Sequence, residues 1–162
     1  MENRFIFRSA QPGDAGDIVR LYNSNPDFLA HHLGRRAVDG AFVCGEWWQM
    51  SEMGFSTMVV ADAQTGAVVG FIDQRYAEPV YLSLFLLDAA LQGKGLGTKL
   101  YRRFEEEQRG RGRKGIRIDV VDDYTGNLVP FWKRLGFAEI EKTTLEWGGK
   151  ASHACVMYRN LI

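Results

Sequence analysis

The sequence lacks a surplus of charge of either sign. Lysine and arginine together number 20, aspartate and glutamate also number 20, and the formal net charge at pH 7 is zero. Proteins that bind DNA or RNA through phosphate groups usually carry a basic excess. The basic run at residues 109–114 is local, and in a neutral chain it favours a solvated helix end. We therefore expect no nucleic-acid partner.

Residues that commonly bind metals are also scarce. The chain has two cysteines, Cys44 and Cys155, and three histidines. The cysteines are far apart in sequence and fit no zinc-ligand spacing, so no metal is expected. Both cysteines are interpreted as small buried hydrophobic residues.

Long hydrophobic runs are absent from the sequence. No stretch reaches the roughly 18 apolar residues that a membrane-spanning helix needs. Residues 1–8 alternate charged and apolar types and lack the apolar centre of a signal peptide. We expect a cytoplasmic protein with reduced thiols and no membrane partner.

Few features divide the chain. Its four prolines are scattered, and no repeat or low-complexity tract occurs. The 162 residues are 46% hydrophobic and 25% charged, which is ordinary for a soluble globular domain. This length fits one domain, so residues 1–162 are expected to form a single domain.

Hydrophobic periodicity predicts both strands and helices. Alternating or β-branched runs predict strands at residues 4–9, 57–61, 67–76, 81–87, 116–120, 137–145 and 151–161. Helical spacing predicts one helix around Tyr22 and two more within residues 27–53, separated near Asp39. The expected arrangement is a mixed, mostly antiparallel sheet.

Glycines are expected to end the two later helices. An amphipathic helix is predicted at residues 96–108, with Gly110 as its C-terminal cap. A short helix is predicted to end at Gly136. The first of these helices connects the strands at 81–87 and 116–120, so it forms the one strand–helix–strand crossover.

The most informative segment is the glycine-rich loop at residues 92–98, which opens the amphipathic helix. Such a loop presents unpaired backbone N–H groups at the positive end of the helix dipole, a site for pyrophosphate. Gly93, Gly95 and Gly97 have no Cβ to hold phosphate oxygens away. The spacing is neither that of a P-loop nor that of a Rossmann fingerprint, although a Rossmann-type domain remains an alternative.

Two motifs together give the chain a family resemblance. The pattern Gln92-x-x-Gly95-x-Gly97 resembles motif A of the GCN5-related N-acetyltransferase (GNAT) family. Residues 131–137, an aromatic pair followed by Leu-Gly-Phe, resemble its downstream motif. The order of predicted elements also matches over essentially the whole chain. The resemblance implies an α/β class fold, the acyl-CoA N-acyltransferase fold, with a mixed, mostly antiparallel sheet flanked by helices.

The resemblance implies transfer of an acetyl group directly from acetyl-CoA, a co-substrate, to an amine of a small molecule or a protein. The backbone of residues 93–98 would hold the pyrophosphate, and residues 85–87 would hold the pantetheine arm. The residues expected to bind the cofactor are Phe85, Leu86, Leu87, Gln92, Gly93, Lys94, Gly95, Leu96, Gly97, Thr98, Asn127 and Trp132. The alternative is a module of this fold that binds CoA without catalysis. Homodimer formation is left open.

The chain departs from the family pattern where many members place a tyrosine that protonates the CoA thiolate. Trp132 occupies that position, and an indole N–H is too weak an acid to give up a proton. Tyr124 is our candidate for the replacement acid, with water as the alternative. Asn127 is interpreted as the N-cap of the short helix, with Pro130 at its third position.

A general base must take a proton from the acceptor ammonium. The candidates are Glu46, Asp73, Glu78 and Asp119. Asp119 lies on the strand after the motif A helix and faces away from its apolar neighbours, so it is the one we favour.

The acceptor side is predicted from simple strand alternation and from aromatic residues. Tyr81 and Ser83 would share one strand face with Phe85 and Leu87. The pair Trp47 and Trp48 would either cover an acceptor pocket or belong to the core.

Overall fold

A seven-stranded sheet organises residues 4–162, the part of the chain that the computed structural model describes. Its strands are β1 Phe5–Ser9, β2 Ser56–Asp62, β3 Val68–Arg75, β4 Val80–Leu87, β5 Gly115–Val121, β6 Ala138–Trp147 and β7 Lys150–Asn160. The spatial order is β1-β2-β3-β4-β5-β7-β6. Only β4 and β5 pair in parallel. The predicted sheet and its crossover are therefore confirmed.

The helices are α1 Ala15–Asn23, α2 Pro26–Leu33, α3 Gly40–Glu52, α4 Leu96–Gly110 and α5 Val129–Arg134. The predicted separation near Asp39 is confirmed, because that residue caps α3 and its side chain accepts a hydrogen bond from Phe42 N–H at 2.9 Å. Within the described range, no helix has both the length and the apolar character needed to cross a membrane.

Helices cover both faces of the sheet, so the central strands are apolar on both sides. In β2, Val59 packs with α1–α3 on one face, whereas the next residue, Val60, packs with α4 and α5 on the other. Phe71 and Ile72 divide in the same way in β3. Both strands are buried over most of their length. Successive strand side chains point to opposite faces.

The end of α4 differs from the sequence prediction. Gly110 is the last helical residue rather than the cap, and Arg111 occupies the cap position. The left-handed backbone conformation that favours glycine falls at Gly112, whose φ is +76°. The prediction for α5 is confirmed, because Gly136 follows its cap with φ at +101°.

The pairing of β4 with its two neighbouring strands is irregular. Its ladder with β5 contains only the pairs Val80 with Ile116 and Tyr81 with Arg117, so the C-terminal halves of these strands share no ladder. On its other side the register with β3 shifts by one residue, which leaves Ser83 unpaired in a bulge. A bulge re-aims the side chains that follow it.

The cysteine prediction is half right. Cys155 is buried on β7, but Cys44 is exposed on α3. Interpreting Cys44 as a core residue is therefore wrong. The apolar face of α3 is presented by neighbours such as Val43, which is 1% exposed.

Candidate active site

The large cleft has a volume of about 1000 Å³ and lies at the C-terminal end of β4. Its walls come from the glycine-rich loop, the first turn of α4, the junction of α1 and α2, the β5–α5 loop and α5. Its lining on β4 begins at Phe85, beyond Tyr81, the last residue that pairs with β5. The sequence predicted the strand and the loop, but not the α1–α2 wall.

Unpaired backbone donors characterise the loop. Among the described residues, no hydrogen bond is made by the backbone N–H groups from Gly93 to Thr98. Gly93 and Gly95 have φ of +78° and +79°, and nothing lies within 4 Å of a Cβ built on either. Adjacent free N–H groups at a helix N-terminus bind anions such as pyrophosphate. The loop therefore fits the CoA diphosphate.

Most of the predicted cofactor residues line the large cleft. Those that do are Phe85, Leu86, Leu87, Gln92, Gly93, Gly95, Gly97, Thr98 and Trp132. Lys94, Leu96 and Asn127 are not part of its lining. The cationic side chains that reach it are Arg102 and Arg134.

Gln92 has a local structural role. Its side-chain amide donates to the Leu87 carbonyl at 3.1 Å and to Asn25 Oδ1 at 2.8 Å. Asn25 is buried and donates to the same Leu87 carbonyl at 3.0 Å. These bonds fix the glycine-rich loop and the start of α2 to the end of β4.

Tyr124 lies in the wall of the large cleft. Its ring stacks on His31 of α2, with centroids 3.9 Å apart and planes 5° apart. Burial raises the pKa of Tyr124 above its ordinary value, and Asp123 adds to this shift. Its hydroxyl therefore stays protonated at neutral pH, as a proton donor must.

Trp132 belongs to the core as well as to the cleft. It is 4% exposed. It packs edge-to-face against Tyr101, Phe131 and Phe137, with ring centroids 5.5, 5.1 and 5.3 Å away. This enclosure provides a packing role for the indole.

Asn127 caps α5 from one residue further out than predicted. The N-cap position is Leu128, and Pro130 is the second rather than the third helical residue. Asn127 Oδ1 accepts from Val129 N–H at 3.0 Å, and its amide donates to the Tyr124 carbonyl at 3.0 Å. Asn127 therefore holds the loop that carries Tyr124.

The small pocket, of about 380 Å³, lies against the α1–α3 face of the sheet. Its aromatic walls come from Tyr22, Phe28, Phe55, Tyr81 and Trp147. Carboxylates line it at Glu46, Asp73, Asp119 and Glu146. Phe28 lines the large cleft too, so the two compartments adjoin there.

The bulge in β4 divides this strand between the compartments. Tyr81 and Ser83 line the small pocket, as predicted for the acceptor side, together with Leu84. Phe85 and Leu87 line the large cleft instead. The expected shared face is therefore wrong, because alternation is broken at the bulge.

Asp119, the favoured base of the sequence analysis, is held in an ion pair. Arg117 donates to both of its carboxylate oxygens, at 2.9 and 3.0 Å, and the Tyr81 hydroxyl donates at 2.7 Å. Glu78 lies outside both compartments and accepts from Lys114 N–H at 3.1 Å.

Asp73 has a different environment from Asp119. It is 4% exposed, and Thr57 Oγ1 donates to its Oδ1 at 2.5 Å. Burial raises the pKa of Asp73 to about 7, the Thr57 hydrogen bond opposes that rise, and the charge of Glu46 adds to it. Burial also raises the pKa of Glu46, with Trp147 and Arg35 opposing.

The tryptophan pair does not cover the small pocket. Trp47 packs against the α1–α3 core, and Trp48 is 67% exposed. The indole that lines the pocket is Trp147, at the end of β6. The sequence carries no local signal for it, because β6 reaches the pocket only through the sheet order.

The chain is similar in sequence to known proteins. A family model described as "Acetyltransferase (GNAT) domain" matches residues 43–152. Glucosamine 6-phosphate N-acetyltransferase 1 of Oryza sativa subsp. japonica is 29% identical over 90 residues. That match covers 51% of this chain and 52% of the rice protein, so the chain spans about half the length of this curated relative.

Solved structures show the same fold. An acetyltransferase from Thermus thermophilus superposes with a TM-score of 0.78 at 21% identity, covering 96% of both chains. A spermidine N-acetyltransferase from Vibrio cholerae, in complex with CoA and spermine, gives 0.72 at 18% identity, covering 98% of this chain and 96% of that one. The predicted fold class is confirmed.

The family match includes the glycine-rich loop, α4 and α5. It confirms the predicted family. The chain belongs to the GNAT family of acetyltransferases.

Proposed function

We propose that the protein transfers the acetyl group of acetyl-CoA, bound in the large cleft, to a small cationic amine bound in the small pocket. The observation that carries the acceptor class is the charge of the small pocket. Glu46, Asp73 and Glu146 make no ion pair with Lys or Arg in the described part of the chain. Arg75 is the single Lys or Arg among the described lining residues.

Aromatic walls support a cationic acceptor. An ammonium over the face of Trp or Tyr is attracted by the ring quadrupole. Arg75 already shows this preference, since its guanidinium lies 5.0 Å from the Phe55 ring centre and 5.6 Å from that of Tyr81. The volume of about 380 Å³ fits a small ligand.

The same charges disfavour anionic acceptors. A phosphorylated amino sugar, the substrate type named for the rice relative, would bring its phosphate among the carboxylates. A polyamine, the type named for the Vibrio neighbour, would bring positive charge to them. We therefore propose a di- or polyamine-like acceptor without anionic groups.

An acceptor screen that detects released CoA thiol tests this function. The panel contains spermidine, glucosamine 6-phosphate and a peptide with a free N-terminus. We expect the highest kcat/KM for spermidine or a shorter diamine. A preference for the phosphorylated sugar would refute the acceptor class, and a preference for the peptide would move the acceptor to proteins. Acetyl-CoA binding without any turnover would favour the CoA-binding module.

We also propose a cytoplasmic location, because both cysteines are free thiols and disulfides are rare in reducing compartments. Cell fractionation tests the compartment. Homodimer formation stays a prediction that light scattering of the purified protein would test.

A further inference from the structure

We propose that Asp73, rather than Asp119, is the general base that takes the proton from the acceptor ammonium. This inference rests on the proposed function, since it assigns a catalytic residue to the same small pocket. Three observations support it: the position of Asp73 on the sheet, the absence of a cationic partner among the described residues, and the groups that surround its carboxylate.

Asp73 lies beside the junction of the large cleft and the small pocket. Asp73 on β3 is directly paired with Leu84 on β4. Leu84 lines the small pocket, and the next residue, Phe85, lines the large cleft. Side chains of directly opposed residues in an antiparallel pair have Cβ atoms about 5 Å apart. Asp73 therefore lies beside the point of β4 where the two compartments meet and where amine and thioester must approach each other.

The hydrogen bonds of Asp73 leave it able to accept a proton. Thr57 occupies Oδ1, and Oδ2 has no hydrogen-bond partner among the described residues. Asp119, by contrast, has both oxygens engaged by Arg117. Protonating Asp119 would break its ion pair with Arg117. Protonating Asp73 would remove a buried charge without losing any cationic partner.

Charged and titratable groups face Asp73 from each neighbouring element. Tyr22 on α1, Glu46 on α3, Tyr81 on β4 and Asp119 on β5 line the pocket with it, and Arg75 follows on its own strand. His32 of α2 lines the same pocket, and burial lowers its pKa, which favours its neutral form. The carboxylates outnumber the single arginine, which favours proton uptake by Asp73.

The proposed acetyl transfer uses one general base and one route by which a proton reaches the sulfur of CoA. The acceptor ammonium gives one proton to Asp73 Oδ2, and the neutral amine attacks the thioester carbonyl carbon. A C–N bond forms and the C–S bond breaks, with the electron pair leaving on sulfur. The second N–H proton passes to the thiolate, through Tyr124 or water. The products are the acetylated amine and CoA thiol, and Asp73 then loses its proton to solvent.

The test is the pH profile of kcat/KM for the best acceptor in Asp73→Asn and Asp119→Asn. We expect Asp73→Asn to lose about 100-fold or more in kcat/KM, together with the acid limb near pH 7. Asp119→Asn should keep that limb at its position, whatever its rate. Loss of the limb in Asp119→Asn, with retention in Asp73→Asn, would overturn the proposal.

Two neighbours should move the limb in opposite directions. Thr57→Val removes a hydrogen bond that favours the carboxylate, so the limb should move to higher pH. Glu46→Gln removes a like charge, so the limb should move to lower pH. The matched control is Glu106→Gln on α4, an exposed residue outside both compartments, which should not move it. The acceptor's own ionisation is the same in every variant and cannot produce these shifts.

A measurement without turnover separates this inference from the acceptor assignment. Infrared difference spectra between the wild type and Asp73→Asn report the carboxyl group directly. A carboxyl that titrates near pH 7 supports the proposal even if no amine in the panel is acetylated. A carboxyl that titrates near its ordinary value of 3.8 overturns it even if acetylation is fast.

Discussion

The large cleft and the small pocket differ in which parts of the chain form them. Beside the large cleft, the glycine-rich loop offers the unpaired backbone N–H groups of consecutive residues, from Gly93 to Thr98. The small pocket presents side chains from α1, α2, α3 and five strands of the sheet. The proposed diphosphate site on this loop is therefore local in sequence, whereas the small pocket is assembled only by the fold.

This difference sets what each site tolerates. A site made of backbone groups depends on conformation, so it is sensitive at the glycines and tolerant at residues such as Lys94, which is not part of the lining. A site made of side chains depends on charge and volume. Under the proposed function, substitutions in the small pocket would change the acceptor while the large cleft keeps the same donor.

The largest expected effect is on the backbone site. Gly95→Ala should weaken acetyl-CoA binding about 100-fold or more, because a methyl group in this loop would keep the diphosphate from the N–H groups proposed to bind it. Each charge-assisted bond lost is worth about 1.5–3 kcal/mol. Isothermal titration with acetyl-CoA measures this loss.

Gly66→Ala is the matched control for Gly95→Ala. Both glycines are left-handed, with φ of +76° and +79°, and neither has an atom within 4 Å of an added Cβ. Both variants should lose a similar stability, about 1–2 kcal/mol. Gly66 lies in the β2–β3 turn, so its variant should bind acetyl-CoA normally. Equal affinities in the two variants would move the diphosphate away from this loop.

The same difference explains how far the sequence could be interpreted. The glycine-rich loop and its helix were predictable, because several glycines directly before an amphipathic helix form a local pattern that lets an anion approach the free N–H groups. The pocket was not, because Trp147 and Asp73 meet only after β6 and β3 are placed in the sheet. The bulge at Ser83 also has no sequence signal, and it sends Phe85 to the other compartment.

The general base is a second feature that the sequence alone could not identify. From sequence, Asp73 and Asp119 are both candidates, and Asp119 is favoured because it faces away from the apolar residues of its strand. The structure distinguishes them by their hydrogen-bond partners. Thr57 donates to Asp73, whereas Arg117 and Tyr81 donate to Asp119. A carboxylate's basicity is set by such contacts, which no local pattern contains.

The second prediction concerns side chains within the large cleft. Tyr124→Phe should lower kcat about 100-fold if Tyr124 supplies the proton to sulfur, and the Phe ring can keep the stack on His31. In the wild type, activity should fall only above pH 10, because the pKa of Tyr124 is raised above its ordinary value of 10.0. Steady-state kinetics with the best acceptor measures both effects.

Trp132→Phe is the comparison for Tyr124→Phe. The indole packs among Tyr101, Phe131 and Phe137, so its replacement should lower stability but change kcat by less than about tenfold. Parent rates in both variants would leave water as the proton donor. Loss of activity in Trp132→Phe alone, with acetyl-CoA still bound, would assign Trp132 a chemical role.

The smallest expected effect is on stability, and it arises in the small pocket. The pKa of Asp73 is about 7 in the folded chain and 3.8 as its ordinary value. Between these values the folded state keeps a proton that the unfolded state has released, so the free energy of unfolding falls as pH rises through that window. Above pH 7 the folded chain carries the full cost of a buried charge.

Asp73→Asn should remove that cost while its amide oxygen still accepts from Thr57. Urea unfolding should show the variant more stable than the wild type at pH 8, and of nearly equal stability at pH 4, where the wild-type carboxyl is neutral in the fold. Asp119→Asn should show the opposite sign at pH 8, since it breaks the Arg117 ion pair. If Asp73→Asn is more stable than the wild type at pH 8 and also loses turnover, the carboxylate charge that proton transfer requires is a charge that destabilises the fold. An equal effect of Asp73→Asn at both pH values would show instead that its carboxyl has no raised pKa.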